Sequence, residues 1–146
     1  MPKMIFINLP VRDLAASTRF YEAIGCTKNP MFSSEDASSM VWEENIMFML
    51  LTHSFFSTFT TRPIADPRTT VSALIALSCD SRQAVDEVVA AAVAAGGGGD
   101  IRPAQDMSFM YGRTFEDPDG NIFEPTWMDP SGFSEAGADA AAHQPA

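Results

Sequence analysis

At 146 residues, 46% of them hydrophobic, the chain has the length and composition of one globular domain with a sizeable core. Nine Lys and Arg residues against nineteen Asp and Glu give a formal net charge of -10 without a basic stripe, which argues against nucleic-acid binding. Cys26 and Cys79 form no CxxC pair, so we expect reduced thiols in a cytoplasmic protein. The apolar run at the N-terminus is too short for a signal peptide or a membrane span.

The first half of the chain is predicted to form a strand, a helix and three further strands. An apolar run at residues 4–9 ends at Pro10, which is typical of a strand. Asp13 can cap a helix that stops at Gly25. Its apolar residues form one stripe: Leu14, Phe20, Tyr21 and Ile24. Strands are then expected at residues 26–32, 39–43 and 46–52, with a tight turn at Glu44-Asn45.

The same order of elements is predicted again in the second half. Residues 69–79 favour a strand, and Asp80 or Ser81 can cap a second helix that ends at the glycine run 96–99. The apolar stripe of this helix is Val85, Val88, Val89 and Ala92. A weak strand near residues 101–103 precedes a hairpin of residues 111–115 and 122–127. The hairpin turn is Asp117-Pro118-Asp119-Gly120, in which Pro118 fixes φ and Gly120 tolerates a positive φ.

This order predicts an α+β fold of two tandem βαβββ modules, at residues 1–53 and 69–129. Residues 54–68 contain Pro63 and Pro67 and are predicted to be a linker with at most one helical turn. The tail at residues 130–146 is poor in large apolar residues, so we expect it to be disordered and to carry no chemistry.

The two strand-to-helix junctions and the final hairpin resemble the vicinal oxygen chelate superfamily. That superfamily includes glyoxalase (lactoylglutathione lyase), bleomycin-resistance proteins, fosfomycin-modifying enzymes and extradiol dioxygenases. The segments that carry the resemblance are NLPVRDLAASTRFYEAIG, ALIALSCDSRQAVDEVV and FEDPDGNIFEPTW. The resemblance implies the glyoxalase/bleomycin-resistance fold, in which the two modules curve into a mixed-sheet cleft that binds a small molecule. It also implies a homodimer that completes the cleft.

In the metal-dependent members of this superfamily, four strand residues, commonly His and Glu, hold a divalent ion in the cleft. Carried over by distance to Asp13, Asp80 and the turn, these positions fall in this chain on Phe6, Leu50, Leu74 and Glu124. Phe and Leu offer no lone pairs, whereas a zinc or transition-metal site needs at least three protein ligands that do. We therefore expect the usual metal site to be lost and no cofactor to be used. Asn8 and His53 are the weak substitutes nearby.

Strand alternation extends the set of residues expected to line the cleft. The ligand-binding candidates are Phe6, Asn8, Phe48, Leu50, Leu74, Thr114 and Glu124. Glu124 is the candidate catalytic residue, as a general base. It can equally anchor a ligand, or pair within the protein, for instance with Arg113.

Two functions remain open at this level. The first is a metal-free binding protein, similar to the bleomycin-resistance proteins, for a small cationic or aromatic molecule. The negative charge, the missing metal ligands and the many aromatic residues favour it. The second is a lactoylglutathione lyase-like lyase or isomerase in which Glu124 is the base. Neither function involves nucleic acid or a membrane.

Overall fold

The computed structural model describes residues 2–132, and its first part is a four-stranded sheet with one helix packed against it. The strands are β1 (Ile5–Val11), β2 (Thr27–Asn29), β3 (Ala37–Glu43) and β4 (Ile46–Thr52), in the order β1-β4-β3-β2. β1 runs parallel to β4, and the other pairs are antiparallel. Helix α1 (Leu14–Ala23) begins after Asp13, whose carboxylate accepts the Ala16 N–H as predicted. The short helix α2 (His53–Phe56) then opens the linker.

The second part repeats this arrangement in a six-stranded sheet. Its elements are β5 (Leu74–Ser78), α3 (Arg82–Ala94), β6 (Gly98–Gly99), β7 (Gln105–Met107), β8 (Met110–Gly112), β9 (Phe115–Glu116) and β10 (Ile122–Met128). β10 lies parallel to β5, and on its other side it pairs antiparallel with β8 and β9, which act as one interrupted strand. The predicted α+β fold of two tandem βαβββ modules is therefore present.

Several predicted element boundaries differ from the structure. The strand expected at residues 69–79 begins only at Leu74, because the Thr69 and Thr70 N–H groups donate to the Asp66 carbonyl in a turn. The strand expected at residues 101–103 is irregular and is flanked by β6 and β7 instead. The strand expected at residues 26–32 stops at Asn29, because Pro30 starts a 3-10 turn.

The final residues of the described part form a short helical turn, α4 (Pro130–Gly132). The disorder predicted for the tail falls mostly on residues 133–146, which lie outside the described residues. No helix among residues 2–132 is long and apolar enough to cross a membrane. Cys26 is buried, Cys79 is half-buried, and both are free thiols.

The helix-facing sides of the two sheets meet around α1 in one aromatic core. The rings of Tyr21 in α1, Phe48 in the first sheet and Phe123 in the second contact one another, with centroids 5.5 to 6.0 Å apart. Phe20 of α1 contacts Phe115 of the second sheet at 6.2 Å. All five side chains are fully buried. Because burial of a large apolar side chain contributes about 1.5–3 kcal/mol, this cluster is a main stabiliser of the contact between modules.

The turn between β9 and β10 also joins the modules. The Asp117 carboxylate accepts the N–H groups of Asp119, Gly120 and Asn121 at 2.9–3.0 Å, and Gly120 has a φ of 106°. The other carboxylate oxygen of Asp117, Oδ2, accepts a hydrogen bond from the Tyr21 hydroxyl at 2.8 Å. Burial raises the pKa of Asp117, while hydrogen bonds from Asn121 and Tyr21 lower it in part. The turn therefore orients β10 relative to α1 as well as reversing the chain.

Candidate functional site

Glu124 lies on the side of β10 that faces away from the aromatic core. Its neighbours Phe123 and Pro125 are buried, so alternation turns Glu124 and Ile122 to the opposite face. The parallel register places Ile122 beside Leu74, and Glu124 beside Ala76. We call the surface formed by Leu74, Ala76, Ile122 and Glu124 the open face of the second sheet. In this register Leu74 and Glu124 lie on the same face of the sheet, as predicted.

The Glu124 carboxylate is paired with a cation that the sequence did not indicate. Its Oε2 accepts a hydrogen bond from Arg102 Nη2 at 2.5 Å, and 18% of the Glu124 side chain and 37% of the Arg102 side chain remain exposed. Within residues 2–132 these two side-chain charges bond only to each other. The predicted partner, Arg113, instead binds Asp86 and Asp100. The pair leaves one carboxylate oxygen and further guanidinium N–H groups for a ligand.

Thr114 supports this pair from the neighbouring strand. The pairings of Gly112 with Thr126 and of Glu116 with Ile122 place Thr114 opposite Glu124. The Thr114 side chain is buried, and its hydroxyl oxygen accepts the Arg102 backbone N–H at 3.3 Å. Thr114 was expected to line the cleft, but its hydroxyl holds the loop that carries Arg102.

On the first sheet the expected β1 residues are exposed, whereas the expected β4 residues face the core. Leu9 is in the core, whereas Phe6 is 53% exposed and Asn8 is exposed. Phe48 and Leu50, both expected to line the cleft, are fully buried in the core. In the parallel register Phe6 lies beside Met47 and Asn8 beside Met49, so these two methionines are β4 residues on the face of Phe6 and Asn8. An error of one residue along a strand exchanges its two faces, which is why counting along the chain misplaced the β4 position.

The side chains at the four superfamily metal positions do not fit a divalent metal centre. With the β4 face corrected, these residues are Phe6, one of the methionines Met47 and Met49, Leu74 and Glu124. A Met thioether is a soft ligand, Phe and Leu offer no lone pair, and the Glu124 carboxylate is already paired with a cation. His53 is exposed at the start of α2. Among residues 2–132 no group of three or more His, Cys, Asp or Glu could hold a metal ion.

Asn8 also belongs to a second candidate site, a cavity. It lines a cavity of about 560 Å³ beneath the linker, together with residues of β1, the linker and the start of β10. Glu124 and Arg102 do not line this cavity. Sequence patterns gave no signal for Arg102 or for the cavity, because both depend on loops that meet strands distant in the sequence.

Comparison with solved structures shows the same fold in proteins of low sequence identity. A glyoxalase/bleomycin resistance protein/dioxygenase family enzyme from Burkholderia phytofirmans has a TM-score of 0.73 at 19% identity, covering 87% of this chain and 99% of that chain. A glyoxalase-related enzyme from Fulvimarina pelagi has a TM-score of 0.71 at 24% identity, covering 87% and 88%. A fosfomycin resistance protein from Mesorhizobium loti has a TM-score of 0.63 at 16% identity, covering 90% and 96%.

At these identities the structural likeness shows the fold alone. None of the curated proteins matches this chain. The family model described as Glyoxalase/Bleomycin resistance protein/Dioxygenase superfamily matches residues 3–124, which is most of the chain. The predicted family is thereby confirmed. The chain belongs to the glyoxalase/bleomycin resistance protein/dioxygenase superfamily.

Proposed function

We propose that this chain is a binding protein that holds a small organic molecule against the open face, around Glu124 and Arg102, and uses no divalent metal. The observation that carries the proposal is the isolated ion pair. Two partly exposed, mutually paired charges lie on the same face of the second sheet as the apolar side chains of Leu74 and Ile122. Such a surface supplies a few oriented polar groups within apolar surroundings, as ligand sites commonly do.

The pair favours an aromatic ligand over a simple cation. Because Arg102 already neutralises Glu124, a cation would have to displace the guanidinium before it reached the carboxylate. An aromatic molecule with one donor and one acceptor can use the remaining groups of both side chains without breaking their bond. The exposed side chain of Leu74 on the open face offers apolar area to such a molecule.

We further propose that a second copy of the chain completes this site. β1 and β5 each pair with a single neighbour among the described strands, so both are sheet edges. Large apolar side chains are exposed at both edges: Met4 just before β1, Ile5 and Phe6 in β1, and Leu74 in β5 are 46% to 55% exposed. Exposed apolar edge strands are unfavourable in water and favour pairing or coverage by another chain. A homodimer would cover them.

The alternative is a glyoxalase-like lyase or isomerase in which Glu124 removes a proton. Its support is that a partly exposed carboxylate faces the proposed ligand surface. One of its oxygens is bonded to Arg102, so the proton would go to the other oxygen, or the pair would open first. The two functions differ in whether a bound molecule is converted.

The test is a thermal-shift series on the purified protein with neutral, cationic and anionic aromatic compounds and with Zn²⁺, Mn²⁺ and Mg²⁺. We expect neutral aromatic compounds to raise the melting temperature. Glu124→Gln and Arg102→Gln should each weaken their binding about tenfold, while Glu22→Gln, at an exposed α1 position, should not. A stoichiometric, stabilising divalent ion would overturn the metal-free proposal. Formation of lactoylglutathione that Glu124→Gln abolishes would establish the lyase instead.

A further inference from the structure

The cavity beneath the linker is separate from the ion pair and has the size of a small-molecule site. It measures about 560 Å³, within the range of about 300–1,000 Å³ that is usual for ligand pockets. One side is formed by residues 7–10 of β1, and another by residues 120–122, where the turn enters β10. The linker and the residues that lead into β5 close the rest, with Phe56, Pro63, Ile64 and Val71 among them.

The linker that covers the cavity is fastened to both modules. The Asp66 carboxylate accepts Arg12 Nη2 from the first module at 2.9 Å. The Asp66 carbonyl accepts the N–H groups of Thr69 and Thr70 at 3.0–3.1 Å. Arg68 Nη2 donates to the Pro118 carbonyl of the second module at 2.9 Å. These bonds hold the linker in place, so the cavity is formed before any ligand binds.

The charge that lines the cavity is opposite to the charge of the chain. None of the acidic residues among residues 2–132 lines the cavity, and within that part of the chain Arg62 is its only charged lining residue. Arg62 has no carboxylate partner among residues 2–132. Most of the other lining side chains are aliphatic or aromatic, and the polar ones are uncharged: Asn8, Thr60, Thr70, Ser72 and Asn121. The cavity therefore combines apolar walls with one unpaired cation.

We propose that this cavity binds a small organic monocarboxylate. The apolar body of the ligand lies against Ile7, Ile64 and Ile75, and its carboxylate pairs with Arg62. A guanidinium can bind a carboxylate through two parallel hydrogen bonds, which selects this head group over an alcohol or an amine. The site shares Ile122 with the open face but uses neither Glu124 nor Arg102, so it does not depend on the function proposed there.

The experiment compares octanoate, octylammonium and octanol, which share a chain length and differ in head group. Calorimetric titration of the full-length protein should show octanoate binding at least about tenfold more tightly than the other two. Arg62→Gln should weaken octanoate about tenfold and leave octanol unchanged, and Arg62→Lys should retain part of the affinity. Arg19→Gln is the matched control, because Arg19 is exposed on α1 and does not line the cavity. Amide shifts in the NMR spectrum should change at Ile7, Phe56 and Ile64.

Three results would overturn the proposal. The first is equal affinity for octanoate and octanol, which would mean an apolar cavity without head-group selection. The second is octanoate binding that is absent at millimolar concentration or is affected equally by Arg62→Gln and Arg19→Gln, because either outcome removes the role of Arg62. The third is a loss of octanoate binding in Glu124→Gln with none in Arg62→Gln, which would move the ligand to the open face. Melting curves of each variant establish that it is folded before titration.

Discussion

Arg12 connects three parts of the molecule, and its removal tests how the modules are held together. Its backbone N–H donates to Asp119 Oδ1 at 3.0 Å, and its guanidinium lies 3.4 Å from the same oxygen. The guanidinium also bonds to Asp66 in the linker. The Asp119 side chain is only 4% exposed, whereas Arg12 is 41% exposed and Asp66 46%. Arg12→Ala leaves a buried carboxylate without its cation, while Asp66→Asn removes only an exposed contact.

The cost of Arg12→Ala follows from this difference in burial. Hydrogen bonds to charged groups contribute about 1.5–3 kcal/mol, and the 3.4 Å distance and the partial exposure of Arg12 favour the lower end. We expect the free energy of unfolding to fall by about 1.5 kcal/mol, or about 5 °C in melting temperature. Adding Asp119→Asn to Arg12→Ala should cost less than the sum of the single changes, because the neutral amide needs no cation.

Urea unfolding followed by tryptophan fluorescence is the assay. Trp42 lies in β3 and Trp127 in β10, so variants that keep one tryptophan report on each module separately. Because the aromatic core spans both modules, the two reporters should unfold together in every variant. An Arg12→Ala protein no less stable than Asp66→Asn would refute the reasoning, since the buried contact would then contribute nothing.

Two further perturbations test the packing around α1. Gly97→Ala should lower the free energy of unfolding by about 2–3 kcal/mol. The reason is that an added Cβ would lie 2.3 Å from the Glu116 carbonyl oxygen and 2.7 Å from Phe20 Cε2. A decrease of less than half this amount in urea titration would contradict the predicted steric clash. Burial and Asp117 raise the pKa of Tyr21 well above 10.0, so the native state holds this proton more tightly than the unfolded state. The contribution of Tyr21 to stability is therefore complete below pH 10 and declines as the pH rises further, and Tyr21→Phe should flatten the alkaline decline in melting temperature more than Tyr111→Phe does. Equal pH profiles in both variants would exclude Tyr21 as the source.

The predictions that succeeded rest on local chemistry. Asp13 caps α1, Ser81 caps α3 and Gly120 adopts a positive φ, because each depends on residues within one turn of itself. Alternation within β10 was sufficient to place Glu124 on the face opposite Phe123, since side chains in a strand must alternate. These local signals, repeated in the same order twice, also carried the family assignment that residues 3–124 confirm.

The predictions that failed depend on contacts between distant segments. Phe48 and Leu50 were assigned to the cleft by counting from residues outside β4, whereas only the pairing with β1 shows that Met49 shares the face of Asn8. Arg113 was the expected partner of Glu124, yet Arg102 takes that place because its loop crosses the strand at Thr114.

The sequence by itself therefore determined the two main helices, the hairpin turn, the duplicated fold and the lack of lone pairs at Phe6 and Leu74, because these follow from residue type and short spacing. Only the tertiary structure decided that Glu124 is neutralised by Arg102 and that an Arg-lined cavity lies beneath the linker. Both arise where chain segments far apart in sequence meet, and no local pattern encodes such a meeting.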